Sequence, residues 1–549
     1  MTTAVRDRPL HLMPMVTNQV RYTVTEYWRS RVVLVMSMLI PLLWLFMIGA
    51  VAGNEIVDTG TGLRVMQFAT PLAVTMGSLF GAMPAVAITV SHARETGLLK
   101  RLRGTPLPGW AYLTGRAAGA AAFALLSVAA ALTLAVLAYD VQVVWRTALA
   151  TAATLTLAVV CFVTLGLAIS TLSPSSTVAQ AVSIGGVVLL SFISGLFTFG
   201  GELPVVVTRV ADLLPVKPLA ETLQDQFNPY LDGAGWDART IVILLAWTVA
   251  AGAVAARGWG LRDRGRPAPR LRARAAEPSA PALTQPAATT PVVSSPGRPG
   301  AVAIVAAQVL AALRTLWRDP GAIFFAVVLP LGLFALVATT NDATTLPSGV
   351  PLTVHLAAGM GTWGLAVTAF MNMPESVVQA RDRGILKRLG GTPLRPAHYL
   401  IGRILAAVVL GLVVAALVVT LAVVGYAAPV SVPGLALGAL LVALGSVVLV
   451  ACGFLLAAVV PNAKTFGAIA LVVLLPVAFV SDIFLIGGPA WMATVGSMFP
   501  LRHLQNALTD VLAGVPGTST WWHVAILAAW GLGAGLLALR FFRWHTTER

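Results

Sequence analysis

Apolar runs of about 20 residues recur along the chain, separated by short polar stretches, and their length predicts helices. Candidate spans lie at about 32–52, 66–91, 111–138, 147–172, 177–199 and 239–256, then at about 321–340, 353–379, 398–426, 433–459, 464–486 and 520–541. A helix crosses the hydrocarbon layer in about 20 residues, whereas strands of a membrane barrel would be about 10 residues long and alternating. The pattern predicts an all-α integral membrane protein of twelve transmembrane helices, six in each half. Ahead of the first span, Asn18, Tyr22, Thr25, Glu26 and Arg29 form one helical stripe and Val20, Val24, Tyr27 and Trp28 another. That arrangement predicts an amphipathic helix lying in the membrane interface. A mostly apolar helix at 301–318, with Gln308, Arg314 and Arg318 polar, takes the same place ahead of the second set.

The polar interruptions repeat as well. The segment Ala93-Arg94-Glu95-Thr96-Gly97-Leu98-Leu99-Lys100-Arg101-Leu102-Arg103-Gly104-Thr105-Pro106-Leu107 returns as Ala380-Arg381-Asp382-Arg383-Gly384-Ile385-Leu386-Lys387-Arg388-Leu389-Gly390-Gly391-Thr392-Pro393-Leu394. Tyr112, Gly115 and Arg116 return as Tyr399, Gly402 and Arg403 at the same offset. Pro41 pairs with Pro330, Pro174 with Pro461, Phe192-Ile193-Ser194 with Phe479-Val480-Ser481, and Leu214-Pro215 with Phe499-Pro500. The chain thus divides into a half at 1–256, an Arg-, Pro- and Ala-rich linker at 257–300 and a second half at 301–549. An even number of spans in each half makes the repeat parallel, related by an axis along the membrane normal. The long connections at about 200–238 and 487–519, rich in Pro, Gly and aromatics, predict short helices dipping back into the membrane, where protein covers them.

Composition agrees with the pattern and removes alternatives. With 58% hydrophobic and 10% charged residues and a mean hydropathy of +0.86, the chain falls far from a soluble globule, for which about 25% charged is usual. The net charge of +15 is concentrated in alternate connections, such as the loop at 92–108 and the Arg-rich exit at 257–274, while the connections at 53–65 and 200–238 hold most of the first half's acids. This is the positive-inside pattern, which predicts a plasma-membrane protein with both termini cytoplasmic and gives no reason to invoke nucleic acid. The first apolar run begins near Val32 after a charged stretch, so no cleavable signal peptide is expected. Cys161 and Cys452 both fall within spans and read as buried apolar groups.

A short basic helix carrying an acid, a glycine, a Leu-Leu or Ile-Leu pair, Lys-Arg and a terminal Thr-Pro resembles the coupling segment of ABC-2-type permeases. The resemblance covers nearly the whole chain, and a fused double permease of this composition is similar to the antibiotic-efflux permeases of actinobacteria, including the tetronasin type. It implies coupling helices at 93–106 and 380–393. Contacts to an ATPase would come from Arg94, Glu95, Leu98, Leu99, Lys100, Arg101, Thr105 and Pro106, and from Arg381, Asp382, Ile385, Leu386, Lys387, Arg388, Thr392 and Pro393. On a continuous helix Glu95 and Leu98/Leu99 would share a face, and Thr105-Pro106 and Thr392-Pro393 suit a helix stop and restart with Thr as N-cap and Pro at the first position. Anionic headgroups would hold the basic residues of such a loop in any case, but they give no reason for the repeated acid, Gly and Thr-Pro.

An ATP-binding loop of Walker type needs Gly-Lys before Ser or Thr. None of Lys100, Lys217, Lys387 and Lys464 follows a glycine, so energy must come from partner subunits that bind ATP and Mg. Two coupling segments in one chain imply two copies of a separate ABC ATPase, with a hydrophobic small molecule and membrane lipid as the other partners. The resemblance places the pathway between second and fifth spans of the two halves. By position its lining would be Phe80, Met83, Phe192 and Phe197 in one half and Met371, Asn372, Phe479 and Phe484 in the other. Helix packing or lipid contact accounts equally well for any one of them.

Polar groups within spans are costly and mark function, which singles out Asn372, Glu375 and Asp482. Glu375, about 9 Å of helix from Arg381, reads as a functional carboxylate or as one snorkelling to the interface. Asp482 stands where the first half has Gly195 and reads as a substrate contact, a proton site or a partner for a basic residue of the outer loop. An ion-coupled secondary transporter would use Glu375 or Asp482. An intramembrane enzyme would need converging acids or metal ligands. His11, His92, His355, His398, His503, His523 and His545 show no metal-ligand spacing, and no catalytic residue is assigned.

Overall fold

The computed structural model describes residues 12–29, 31–58, 62–102, 107–196, 205–263, 300–340, 344–392, 394–484 and 486–541. The first half runs α1 (Leu12–Arg29), α2 (Arg31–Ala52), α3 (Val65–Glu95), α4 (Leu98–Leu102), α5 (Gly109–Tyr139), α6 (Ala148–Leu172), α7 (Ser176–Ile193), α8 (Val205–Ala211), α9 (Val216–Phe227) and α10 (Ala238–Asp263). The second half runs α11 (Ala301–Trp317), α12 (Pro320–Ile323), α13 (Leu329–Thr340), α14 (Leu352–Ala366), α15 (Met373–Asp382), α16 (Ile385–Gly390), α17 (Pro396–Thr420), α18 (Val432–Val459), α19 (Ala463–Val480), α20 (Ala490–Gly496), α21 (Pro500–Leu512) and α22 (Thr518–Phe541). The fold is all-α apart from one two-stranded hairpin among the described residues, Ile56–Asp58 with Leu63–Arg64.

Ten of these helices, counting α12–α13 and α14–α15 each as one, are long and apolar enough to cross a membrane. The apolar helical parts in the first and eleventh predicted spans are shorter, at Met38–Ala52 and Thr465–Val480. The eleventh span, predicted to reach 486, ends at Val480 in the structure. At the other edge of the linker, α10 continues to Asp263, past the predicted end of the first half.

Three π-helical turns interrupt the second half, at Phe324–Val328, Val367–Asn372 and Leu421–Gly425. The middle one runs into Pro374, whose ring nitrogen has no hydrogen to donate to the Phe370 carbonyl. The helix accommodates this by a wide turn, a feature that recurs at functional sites.

Small residues let the helices of each half close on one another. In α6, a Cβ on Gly166 would lie 2.5 Å from the Met83 carbonyl oxygen of α3; in α18, one on Gly453 would meet the Phe370 carbonyl oxygen and lie 2.5 Å from Pro374 Cγ. Gly115 of α5 faces the Gln19 backbone of α1 in the same way, and Gly402 of α17 faces Gln308 of α11. On α1, Thr23 and Tyr27 are buried by this packing, and Glu26, predicted on the polar stripe, pairs with Arg116 at 2.6 Å. The second apolar helix is the centre of each half: 83% of the apolar window in α3 and 94% of that in α14–α15 is buried. The halves meet along two seams. In one, Leu43 and Met47 of α2 pack with Phe479 and Val480 of α19. In the other, the Phe324 ring lies against Gly185 of α7.

Candidate functional site: a clamp repeated in both halves

The basic segment is not one continuous helix. Gly97 and Gly384 adopt φ of +70° and +67°, breaking α3 from α4 and α15 from α16. Glu95 therefore turns away from Leu98 and Leu99 instead of sharing their face. The Arg94 guanidinium donates to the carbonyl oxygens of Ser170 (2.7 Å) and Ser173 at the end of α6. The Glu95 carboxylate accepts from the backbone N–H of Ser176 (2.9 Å) and from its hydroxyl, at the start of α7.

The second half repeats the arrangement residue for residue in register, without the hydroxyl bond, since Ala463 stands at the place of Ser176. Arg381 donates to Ala457 O (3.2 Å) and Val460 O (2.7 Å), and Asp382 accepts from Ala463 N–H (2.8 Å). Each α6–α7 or α18–α19 turn is thus held between a cation on the carbonyl end of one helix and an anion on the amide end of the next, the signs that helix dipoles favour. Ser175 and Asn462 cap α7 and α19 by accepting from Val178 and Thr465 N–H.

Beyond the glycine, the short helix turns its apolar side inward. Leu386 is buried, and Leu98 and Leu99 are half-buried. Ile385 is partly exposed, and Lys100, Arg101, Lys387 and Arg388 point outward. Arg101 and Arg388 donate back to the carbonyls of Thr96 and Arg383. Thr392 is exposed, and its hydroxyl donates to Leu389 O. The helix restart differs from prediction: α17 begins at Pro396 with Arg395 at its N-cap position, and Thr392 caps nothing in it. Thr105, Pro106 and Pro393 lie outside the described residues.

Among the pathway candidates, Phe80 packs with the first half's core and Met83 is buried there, its methyl 3.8 Å from a Cβ built on Gly186 of α7. Phe192 packs across onto the second half's core, and Met371 packs against that same core from within its own half. Phe484 lies against Trp363 (ring centroids 4.8 Å) and Phe479 (5.5 Å). Asn372 closes the π-helical turn and is half-buried. Glu375 accepts from Gln379 (3.2 Å) and faces Gly467 of α19, where a Cβ would lie 3.4 Å from its carboxylate. Phe197 lies outside the described residues. Candidates from the two halves therefore gather in separate groups joined through Phe192. The apolar cavity of about 250 Å³ between α5, α6 and the end of α9, lined by Leu132, Val136, Leu155 and Phe227 among others, includes none of them.

Comparison with known families is decisive for the class. Residues 19–227 match the family model described as ABC-2 type transporter, and residues 322–540 match the one described as ABC-2 family transporter protein. The chain is an ABC-2 transporter permease. A search of curated proteins finds no match. As an ABC-2 permease it is the membrane component of an ABC exporter and not itself catalytic, and its family implies an ABC ATPase partner. The permease holds no group of three or more His, Cys, Asp or Glu residues able to bind a metal among its described residues.

One feature of the permease had no counterpart in the sequence reading, and a second was only one of several options there. The Ser170–Ser176 and Ala457–Ala463 turns that receive the clamp carry no chemical signature of their own. Their signal is only that both turns keep the offset of the basic segment. The partner of Asp482 is Arg502, at 2.7 Å, on a helix whose register with the first half differs from that of the spans.

The glycines at the break offer a clean test. A Cβ on Gly97 or Gly384 would meet nothing within 4 Å, so alanine there introduces backbone strain alone. Gly97→Ala and Gly384→Ala each lower stability by about 1 kcal/mol, and asparagine, which tolerates the left-handed region, by less. Thermal melts of the detergent-solubilised permease measure both.

Proposed function

We propose that this permease moves hydrophobic or amphipathic compounds, such as antibiotics or lipid-like molecules, out across the plasma membrane by alternating access. Two copies of a separate ABC ATPase supply the energy, binding ATP and Mg and docking one beneath each of α4 and α16. Lys100, Arg101, Lys387 and Arg388 form the polar contact, and Leu98, Leu99, Ile385 and Leu386 seat the short helices on the membrane domain. In this reading the permease has twelve spans in halves 1–256 and 301–549, joined by the cytoplasmic linker 257–300, with both termini cytoplasmic. Its similarity to the tetronasin-type actinobacterial efflux permeases motivates the choice of cargo.

The observation that carries this reading is the twinned clamp. A force on α4 cannot stay local, because Arg94 and Glu95 grip the ends of α6 and α7, and Arg381 and Asp382 grip α18 and α19. Closure of the ATPase pair would pull both turns together and tilt α7 and α19, the helices that line the two seams. Phe80, Met83, Phe192 and Phe197, with Met371, Asn372, Glu375, Phe479 and Phe484, would line the path, where aromatic and thioether groups adapt to irregular apolar cargo.

The test is ATP hydrolysis by the permease reconstituted with its ATPase in liposomes. Amphipathic antibiotics stimulate it severalfold, and labelled compound accumulates in inverted vesicles only with ATP. Transport driven by a proton gradient without the ATPase would instead support ion coupling through Glu375 or Asp482.

A further inference from the structure

α7 and α19 end in the same way and are then held differently. In both, the residue after the terminal serine has a left-handed backbone, Gly195 at φ +75° and Asp482 at φ +58°. In both, the next amide closes back onto the helix, Leu196 N–H to Ser191 O and Ile483 N–H to Ala478 O. Glycine takes this conformation without strain, and aspartate takes it at a modest cost, which the contacts around Asp482 must offset.

The Asp482 carboxylate meets the Arg502 guanidinium of α21 at 2.7 Å, with both side chains largely shielded from solvent. Arg502 also donates to Val480 O in the last turn of α19 (2.8 Å). From α14, His355 Nε2 bonds the Asp482 carbonyl oxygen at 3.0 Å. Gly496 at the end of α20 presses so closely that a Cβ there would lie 2.8 Å from Arg502 Cδ.

Three elements, α14, α19 and the α20–α21 unit, thus converge on one residue, two positions before Phe484, whose ring lies against those of Trp363 and Phe479. Among the described residues, the first half does not repeat this set of side chains at the matching positions. Gly195 replaces Asp482, Phe68 replaces His355, and Lys217, at the place of Arg502, pairs with Asp212 beside its own helix at 2.6 Å.

We propose that Asp482, Arg502 and His355 form a latch on the outer end of the second half. The Asp482–Arg502 pair must part before cargo can leave past Phe484. The outer end of the first half, without the latch, opens more freely, so outward opening is asymmetric. Asp482 and Arg502 are positioning residues: they hold α19 and do not act on cargo. The proposal rests on the reading of the chain as an exporter whose basic loops face the cytoplasm.

The experiment measures access and not transport. Ser481→Cys places a thiol at a fully buried position under the latch, and Ser194→Cys places one at the matching position of the first half. Both are labelled in right-side-out vesicles holding the permease with its ATPase, using a membrane-impermeant maleimide, with the unsubstituted chain as background for Cys161 and Cys452. Arg502→Gln and Asp482→Gly, the second installing the first half's own residue, each raise the labelling rate at Ser481→Cys about tenfold, the scale of a lost charged hydrogen bond. The double variant labels no faster than either single one, since both remove the same pair. Ser194→Cys keeps its rate throughout. Asp482→Asn, which preserves shape and backbone tolerance, gives a smaller rise in the same direction, because its amide oxygen still accepts from Arg502 but the charge is lost, and it keeps the test valid should glycine loosen the fold. Unchanged rates, effects that add, an equal rise at Ser194→Cys, or labelling only from the cytoplasmic side would overturn the latch. No transported compound is present, so absent drug stimulation of ATP hydrolysis would sink the cargo reading and leave this result intact.

Discussion

Replacing Arg94 and Arg381 together by alanine uncouples the permease from its motor. Compound-stimulated ATP hydrolysis in the reconstituted complex falls by an order of magnitude or more, while the ATPase alone keeps its basal rate. Each arginine makes at least two charge-assisted bonds to carbonyls at a helix end, and charged hydrogen bonds contribute about 1.5–3 kcal/mol. Their loss frees the α6–α7 and α18–α19 turns from the helices that receive the push. The short helices α4 and α16 still dock, because Lys100, Arg101, Lys387 and Arg388 lie on the opposite side of the glycine break. Copurification of the ATPase therefore persists.

Glu95→Gln has a smaller effect, since an amide oxygen can still accept from Ser176 N–H and only the charge at the start of α7 is lost. A double variant with normal stimulation would mean that force reaches α7 and α19 by another route. Loss of ATPase binding would mean that the arginines face the partner after all.

The clamp also shows where sequence reading reaches its limit. Membrane helices were legible because hydrocarbon leaves the backbone no alternative, and the repeat was legible because charged residues between apolar runs rarely recur in register by chance. The class of protein followed from both. What Arg94 and Glu95 touch was not legible, because it depends on a chain reversal at Gly97 and on two helix ends about 80 residues further along. Treating 93–106 as one helix put Glu95 on the face of Leu98; the left-handed glycine sends it the other way. Glu26 stays exposed, as its polar stripe implies, but its partner was not legible for a similar reason: α1 packs against α5 at Gly115 and Gly119, and this brings Arg116 to the Glu26 carboxylate. At Asp482 the departure from Gly195 was visible and its partner was among the options. Only the fold could select Arg502.

Alanine at Gly166 or Gly453 destabilises the permease by about 1–3 kcal/mol, the range for a core forced to accept an extra carbon, and valine by more. The obstruction is a backbone carbonyl in each case, Met83 O under Gly166 and Phe370 O under Gly453, so no rotamer change relieves it. Relief requires α6 to move off α3, or α18 off the π-helical turn. Gly252 of α10 and Gly533 of α22 meet nothing within 4 Å; alanine there is neutral or stabilising by up to about 1 kcal/mol, through helix propensity alone. Melting temperatures of the four variants therefore separate by sign. The two destabilised variants lose coupling as well as stability, because Gly166 and Gly453 hold α6 and α18 at the depth where Arg94 reaches Ser170 O and Arg381 reaches Ala457 O. If Gly453→Ala melted normally yet lost compound-stimulated hydrolysis, the glycine would serve motion and not packing, and the π-helical turn beneath it would be the moving part.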